Sequence, residues 1–151
     1  MSPSTKSWPD ALRAALLSGA LASIASTAVL CWQGLRELDD ASAPLNGPSQ
    51  WVWGRHAPYR DGFSARHTAV GYAIHHLASI FWALLFERFR GSRPVLPAAA
   101  ATALVANVVD FRLTPERLTP GFQKRLSKRA IALSYAAVAL GLVAGAAVAR
   151  R

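Results

Sequence analysis

The segment AIALSYAAVALGLVAGAAVA, residues 130–149, contains no charged side chain and runs from Arg129 to Arg150 and Arg151. At 1.5 Å per residue a helix of this length measures about 30 Å, the thickness of bilayer hydrocarbon. Three further stretches lie between charges: residues 14–35, 67–86 and 94–109. The first two reach spanning length, and the third reaches it only when Asp110 and Phe111 are added. In a soluble protein, helices apolar on every side must be buried, and a chain of 151 residues encloses too little volume to bury four. Lipid takes the place of that missing core. The expected fold is therefore all-α: a polytopic membrane protein of one domain, residues 1–151, with a compact bundle of four transmembrane helices over about 11–33, 68–86, 95–111 and 130–149.

The formal charge of +9, from 17 Lys and Arg against 8 Asp and Glu, would suggest nucleic acid in a soluble domain. Here the basic residues sit between the apolar stretches, where topology signals and contacts to anionic lipid belong, so the expected partner is the bilayer and not nucleic acid. Cys31 is the only cysteine and forms no internal disulfide. Lys6 and Arg13 precede an apolar run longer than a secretory signal, with no small-x-small cleavage site after it, so the first helix is expected to be retained.

Asp10, ahead of Ala11 and Leu12, reads as the first N-cap. The loop 36–66 is rich in Pro, Gly, Asp and Ser, and within it Trp51-Val52-Trp53 follows Ser49. That pattern suggests a short Ser-capped helix in the headgroup region, where indole rings prefer to lie. After Asp110 the chain repeats Leu-Thr-Pro at 113–115 and 118–120, in which Thr reads as an N-cap and Pro as the first helical residue. Phe122 and Leu126 then share one side of 121–128 among Lys124, Arg125 and Lys128, the pattern of a second short interfacial helix.

Residues four apart share a helix face. Rows of small or polar residues appear at Ala15, Gly19, Ser23, Thr27 and Cys31; at His67, Gly71, His75, Ser79 and Ala83; at Ala98, Thr102, Ala106 and Asp110; and at Ala137, Gly141, Gly145 and Ala149. Such rows are expected to face protein, and the bulky row Val70, Ile74, Leu77, Phe81 and Leu84 to face lipid. The loop 36–66 and the connector 112–129 must open on the same membrane side. Ser26, Thr27, Cys31, Gln33, His67, His75, His76, Asn107, Asp110, Ser134 and Tyr135 all fall in the half that these loops close. Glu87 beside Arg88, at the other edge, reads as an interfacial charge.

Ionisable groups in hydrocarbon are expensive unless paired, which makes His75, His76, His67, Asn107 and Asp110 a candidate intramembrane polar site. A His75–Asp110 hydrogen bond would fix helix register. The same two groups would also suit a proton or a metal ion. His75 and His76 point about 100° apart, so any metal would need His75, Asp110 and loop ligands such as His56 or Asp61. No motif specifies a catalytic residue or a cofactor. Arg112, Arg117, Lys124, Arg125, Lys128 and Arg129 form a basic cluster suited either to lipid headgroups or to setting topology. Orientation stays open: the long-loop face carries ten Lys and Arg against seven opposite, but the first helix has basic residues before it and Glu37, Asp39 and Asp40 after it.

Ser49-Gln50-Trp51-Val52-Trp53-Gly54, the run from Arg66-His67-Thr68 to Ile74-His75-His76, and the Leu-Thr-Pro repeat resemble a group of small uncharacterised four-helix proteins of the bacterial inner membrane. The resemblance implies that location and no activity. Three functions stand open on the sequence: a non-enzymatic accessory or partner-binding membrane component, with a partner membrane protein or a second copy in a homo-oligomer; a small proton- or metal-ion-handling protein; and an intramembrane enzyme.

Overall fold

The computed structural model describes residues 5–149, and helix is the only regular structure among them. Six α-helices follow in order: α1 Trp8–Leu38, α2 Ala43–Asn46, α3 Gln50–Trp53, α4 Val70–Phe89, α5 Val95–Val108 and α6 Lys128–Val148. A π turn, Ala65–Ala69, leads into α4, and another, Val109–Leu113, extends α5. With these extensions four helices are long and apolar enough to cross a membrane: Trp8–Leu38, Ala65–Phe89, Val95–Leu113 and Lys128–Val148. The third reaches 19 residues because the π turn carries the helix past Asp110.

The chain divides into two compact units. The helix unit comprises Met1–Ser26, His76–Ala106 and Tyr135–Arg151. Its core is Ala15, Ala22, Ala83, Phe86, Ala99, Ala103, Ala139, Leu142 and Ala146, drawn from α1, α4, α5 and α6. Because seven of the nine are alanine, backbones approach closely. A Cβ on Gly141 would strike the backbone of Ala22, one on Gly145 that of Ser18, and one on Gly19 would lie 2.6 Å from the Ile80 Cα. Close packing of this kind is how helices associate where burial of apolar area gives no advantage.

The connector unit comprises Thr27–His75 and Asn107–Ser134. In it α2 and the 3₁₀ turn Gly47–Ser49 are fully buried. The Leu45 carbonyl lies against Gly71, and Gly47 meets the backbone of Gly121 and Phe122, where side chains would collide.

Several expectations are corrected. α1 starts at Trp8, not Asp10, because Ser7 Oγ accepts from the Asp10 N–H at 3.3 Å and takes the capping position. α1 also continues to Leu38, where Asp39 turns left-handed (φ 56°). Ser49 does not cap α3; its hydroxyl donates back to the Asn46 carbonyl at 2.7 Å. Neither Thr of the Leu-Thr-Pro repeat is an N-cap. Thr114 follows the π turn and bonds the Val109 carbonyl through both N–H and Oγ1 (2.9 Å each), and Thr119 closes the 3₁₀ turn Glu116–Leu118 by donating to the Glu116 carbonyl at 2.8 Å. Residues 121–127 form only the 3₁₀ turn Phe122–Lys124 and Lys128 already begins α6, with Phe122 and Leu126 buried in protein.

The small-residue rows are partly displaced. In α1 Ala15, Gly19 and Ser23 are buried, but Thr27 and Cys31 are half-buried and contact passes to Ser26, Leu30 and Gln33. Four residues advance a helix by about 40° more than a full turn, so a strict four-step row rotates out of a straight interface. In α5 the buried row is Ala99, Ala103 and Ala106, beside the expected Ala98 and Thr102; Ala149 falls just past the end of α6 and is exposed; and Leu84 of the bulky α4 row packs on the core.

Gly145→Val is expected to cost about 1–3 kcal/mol through overpacking against Ser18, whereas Ala144→Val, at an exposed position, changes stability by less than about 0.5 kcal/mol. Thermal unfolding of both variants in mild detergent measures the difference.

Candidate functional site

The connector unit carries most of the polar chemistry, and two buried amides organise it. Asn46 Nδ2 donates to the carbonyls of Arg60 (2.8 Å) and Gly62 (3.1 Å), while its Oδ1 accepts from Thr68 Oγ1 at 2.6 Å. Gln50 Nε2 donates to the Thr119 carbonyl at 2.7 Å and the Glu116 carbonyl at 3.2 Å, and its Oε1 accepts from Lys124 Nζ at 3.1 Å. An amide supplies two donors and two acceptor sites, which is what crossing three irregular segments at one point demands. Asn46 thereby ties the loop to the start of α4, and Gln50 ties α3 to the connector before α6.

Asp40 is the third anchor. It accepts from the Gly62 N–H (2.6 Å), the Ser42 hydroxyl (2.7 Å) and the Ser42 N–H (2.8 Å). Burial works against its carboxylate, but these hydrogen bonds together outweigh burial and hold the carboxyl below the ordinary aspartate value. Glu37, at the end of α1, accepts from the Ser127 N–H (2.7 Å) and hydroxyl (2.6 Å), which places a carboxylate at the N-terminus of α6.

The predicted site residues divide between the units. His67, His75, Asn107 and Asp110 belong to the connector unit and His76 to the helix unit. His67 lies in the first π turn with Nδ1 3.2 Å from Ser64 Oγ, its ring tilted against Trp53 at 6.5 Å. Asp110 lies inside the second π turn. His75, His76 and Asp110 are half-buried, and each takes part in a polar, ring or electrostatic contact. Of the two loop groups considered as metal ligands, Asp61 pairs with Arg125 at 2.7 Å, and His56 is exposed. Among the described residues no three His, Cys, Asp or Glu side chains converge as a metal site.

The basic cluster also divides. Lys124 pairs with Glu116 at 3.2 Å and Arg125 with Asp61, and both are largely buried. Arg112, Arg117, Lys128 and Arg129 are exposed. In the helix unit Glu87 is buried rather than set at an exposed edge: it accepts from Lys6 Nζ and from Arg90 at 3.4 Å, while Arg88 stacks on Trp8.

Comparison with family models, with curated proteins and with solved structures finds no match. The amides of Asn46 and Gln50 were not singled out by sequence, since nothing local distinguishes a buried Asn or Gln from a surface one. Their one signal is position, inside a Pro- and Gly-rich loop that carries its own apolar residues.

Because the Asp40 carboxyl is held low, its contribution to stability is complete above the ordinary value of 3.8 and is lost as pH falls through the lower folded value. Asp40→Asn is expected to flatten the acid limb of a stability-versus-pH curve there, with little effect on its shape near neutrality. Gln50→Ala strips partners from buried carbonyls and is expected to cost about 1–3 kcal/mol, read by chemical unfolding.

Proposed function

We propose that this chain is a four-span integral protein of the bacterial inner membrane that serves as a non-enzymatic accessory component, binding a partner membrane protein or a second copy of itself. The observation that carries the reading is the outward face of the long helices. Leu77 (65% exposed), Phe81 (54%), Leu104 (66%) and Leu140 (62%) stand out from helices whose inner faces are alanine and glycine. Apolar surface of that extent needs a cover of lipid or protein.

Two further features support it. The exposed Trp51, Val52, Trp53, Tyr59 and Phe63 lie in one loop with Arg55, Arg60 and Arg66, and Arg66 stacks on Trp53 at 4.3 Å. Aromatic and basic residues together suit the headgroup layer. The buried Asn46 and Gln50 and the half-buried Asp40 are engaged in holding loops.

On this reading the chain stays in the membrane pellet under alkaline carbonate. His75→Ala and Asp110→Asn lower its melting temperature and leave reconstituted liposomes without pH- or metal-dependent flux. A chain that is soluble and monomeric without detergent would overturn the reading. A flux that either substitution abolishes would replace it with ion handling.

A further inference from the structure

The connector unit contains a cleft of about 690 Å³, within the range of about 300–1,000 Å³ usual for small-molecule sites. It joins the second π turn, through Phe111 and Arg112, to the first turns of α6, through Lys128 and Ile131. Glu116 also lines it, but Lys124 neutralises that carboxylate at 3.2 Å. Arg112 and Lys128 are exposed and enter no ion pair among the described residues. The cleft therefore keeps two uncompensated cations, one from the π turn and one from the start of α6. Beside them lie apolar walls, and the Phe111 ring is held edge-on by buried Phe122 at 6.3 Å between centroids.

We propose that this cleft binds the phosphate of an anionic phospholipid, with Arg112 and Lys128 on the phosphate oxygens and Phe111 and Ile131 against the start of an acyl chain. Arg offers a planar fork to the phosphate, and Lys offers a compact point charge. A free phosphate would use the cations alone, whereas hydrocarbon joined to phosphate uses both kinds of wall. The proposal rests on the four-span reading, which makes lipid the surrounding solvent. It assigns the headgroup role to two members of the basic cluster and withdraws it from Lys124 and Arg125, whose charges are already paired.

The test is native mass spectrometry of the full chain in nonionic detergent with phosphatidylglycerol or phosphatidylcholine. The expected result is a single retained phosphatidylglycerol, weakened roughly ten- to hundredfold in Arg112→Gln/Lys128→Gln. The control Arg13→Gln/Arg93→Gln removes the same charge from exposed positions in the helix unit and should change binding less than about threefold. Equal losses in the two double variants would overturn the site in favour of diffuse attraction. Displacement of the lipid by excess inorganic phosphate would overturn the lipid in favour of a free anion. Matched melting temperatures confirm folding, and should the double variant not fold, Arg112→Gln alone must still weaken phosphatidylglycerol and spare phosphatidylcholine or the proposal fails. Release of the unaltered chain by alkaline carbonate is a separate result, and it would overturn the four-span reading itself.

Discussion

Every buried backbone carbonyl and N–H needs a partner, and in this chain that requirement is met in two ways. In the helix unit the helices satisfy themselves, so their surfaces are free to be alanine, glycine and serine and to pack backbone against backbone. In the connector unit the chain turns too often for any ladder to run. Side chains take over there: Asn46 binds carbonyls further along its own loop, Gln50 binds carbonyls far away in sequence, and Asp40 gathers N–H groups from both its own turn and Gly62. Loss of one such amide strands several groups at once, which is why these few residues outweigh the many weak contacts around them.

The same economy explains the distribution of charge. Carboxylates of the connector unit are matched to particular partners: Glu37 to Ser127, Glu116 to Lys124 and Asp61 to Arg125. With so few acids in a chain of net charge +9, every such pairing leaves other cations without a partner. Arg112 and Lys128 are two of these, and they border a cleft that also has apolar walls. A basic cluster read along the sequence looks uniform; the fold sorts it into structural and outward-facing members.

The two π turns show how local sequence and tertiary demand combine. Each lies at the loop-side end of a long helix, and each is closed by a hydroxyl residue: Ser64 accepts from the His67 N–H at 3.0 Å, and Thr114 bonds Val109. A π turn widens the helix by one residue and changes which face the following side chains occupy. Through the second of them the helix carries Asp110 within its last turn instead of ending before it.

The sequence by itself determined the number and approximate extent of the four long helices, because a run of some twenty uncharged residues has few ways to satisfy its backbone other than a helix. It also located the small residues Gly19, Gly141 and Gly145 at close helix contacts, since side-chain size is legible without knowing the partner. Only the tertiary structure decided which face of α5 is buried, that Thr114 and Thr119 end turns rather than begin helices, and that Lys124 and Arg125 are paired while Arg112 and Lys128 are not. The Asp61–Arg125 pair joins groups 64 positions apart, and even the short-range partners, Val109 for Thr114 and Glu116 for Thr119 and Lys124, are chosen by how the connector turns, which no local pattern carries.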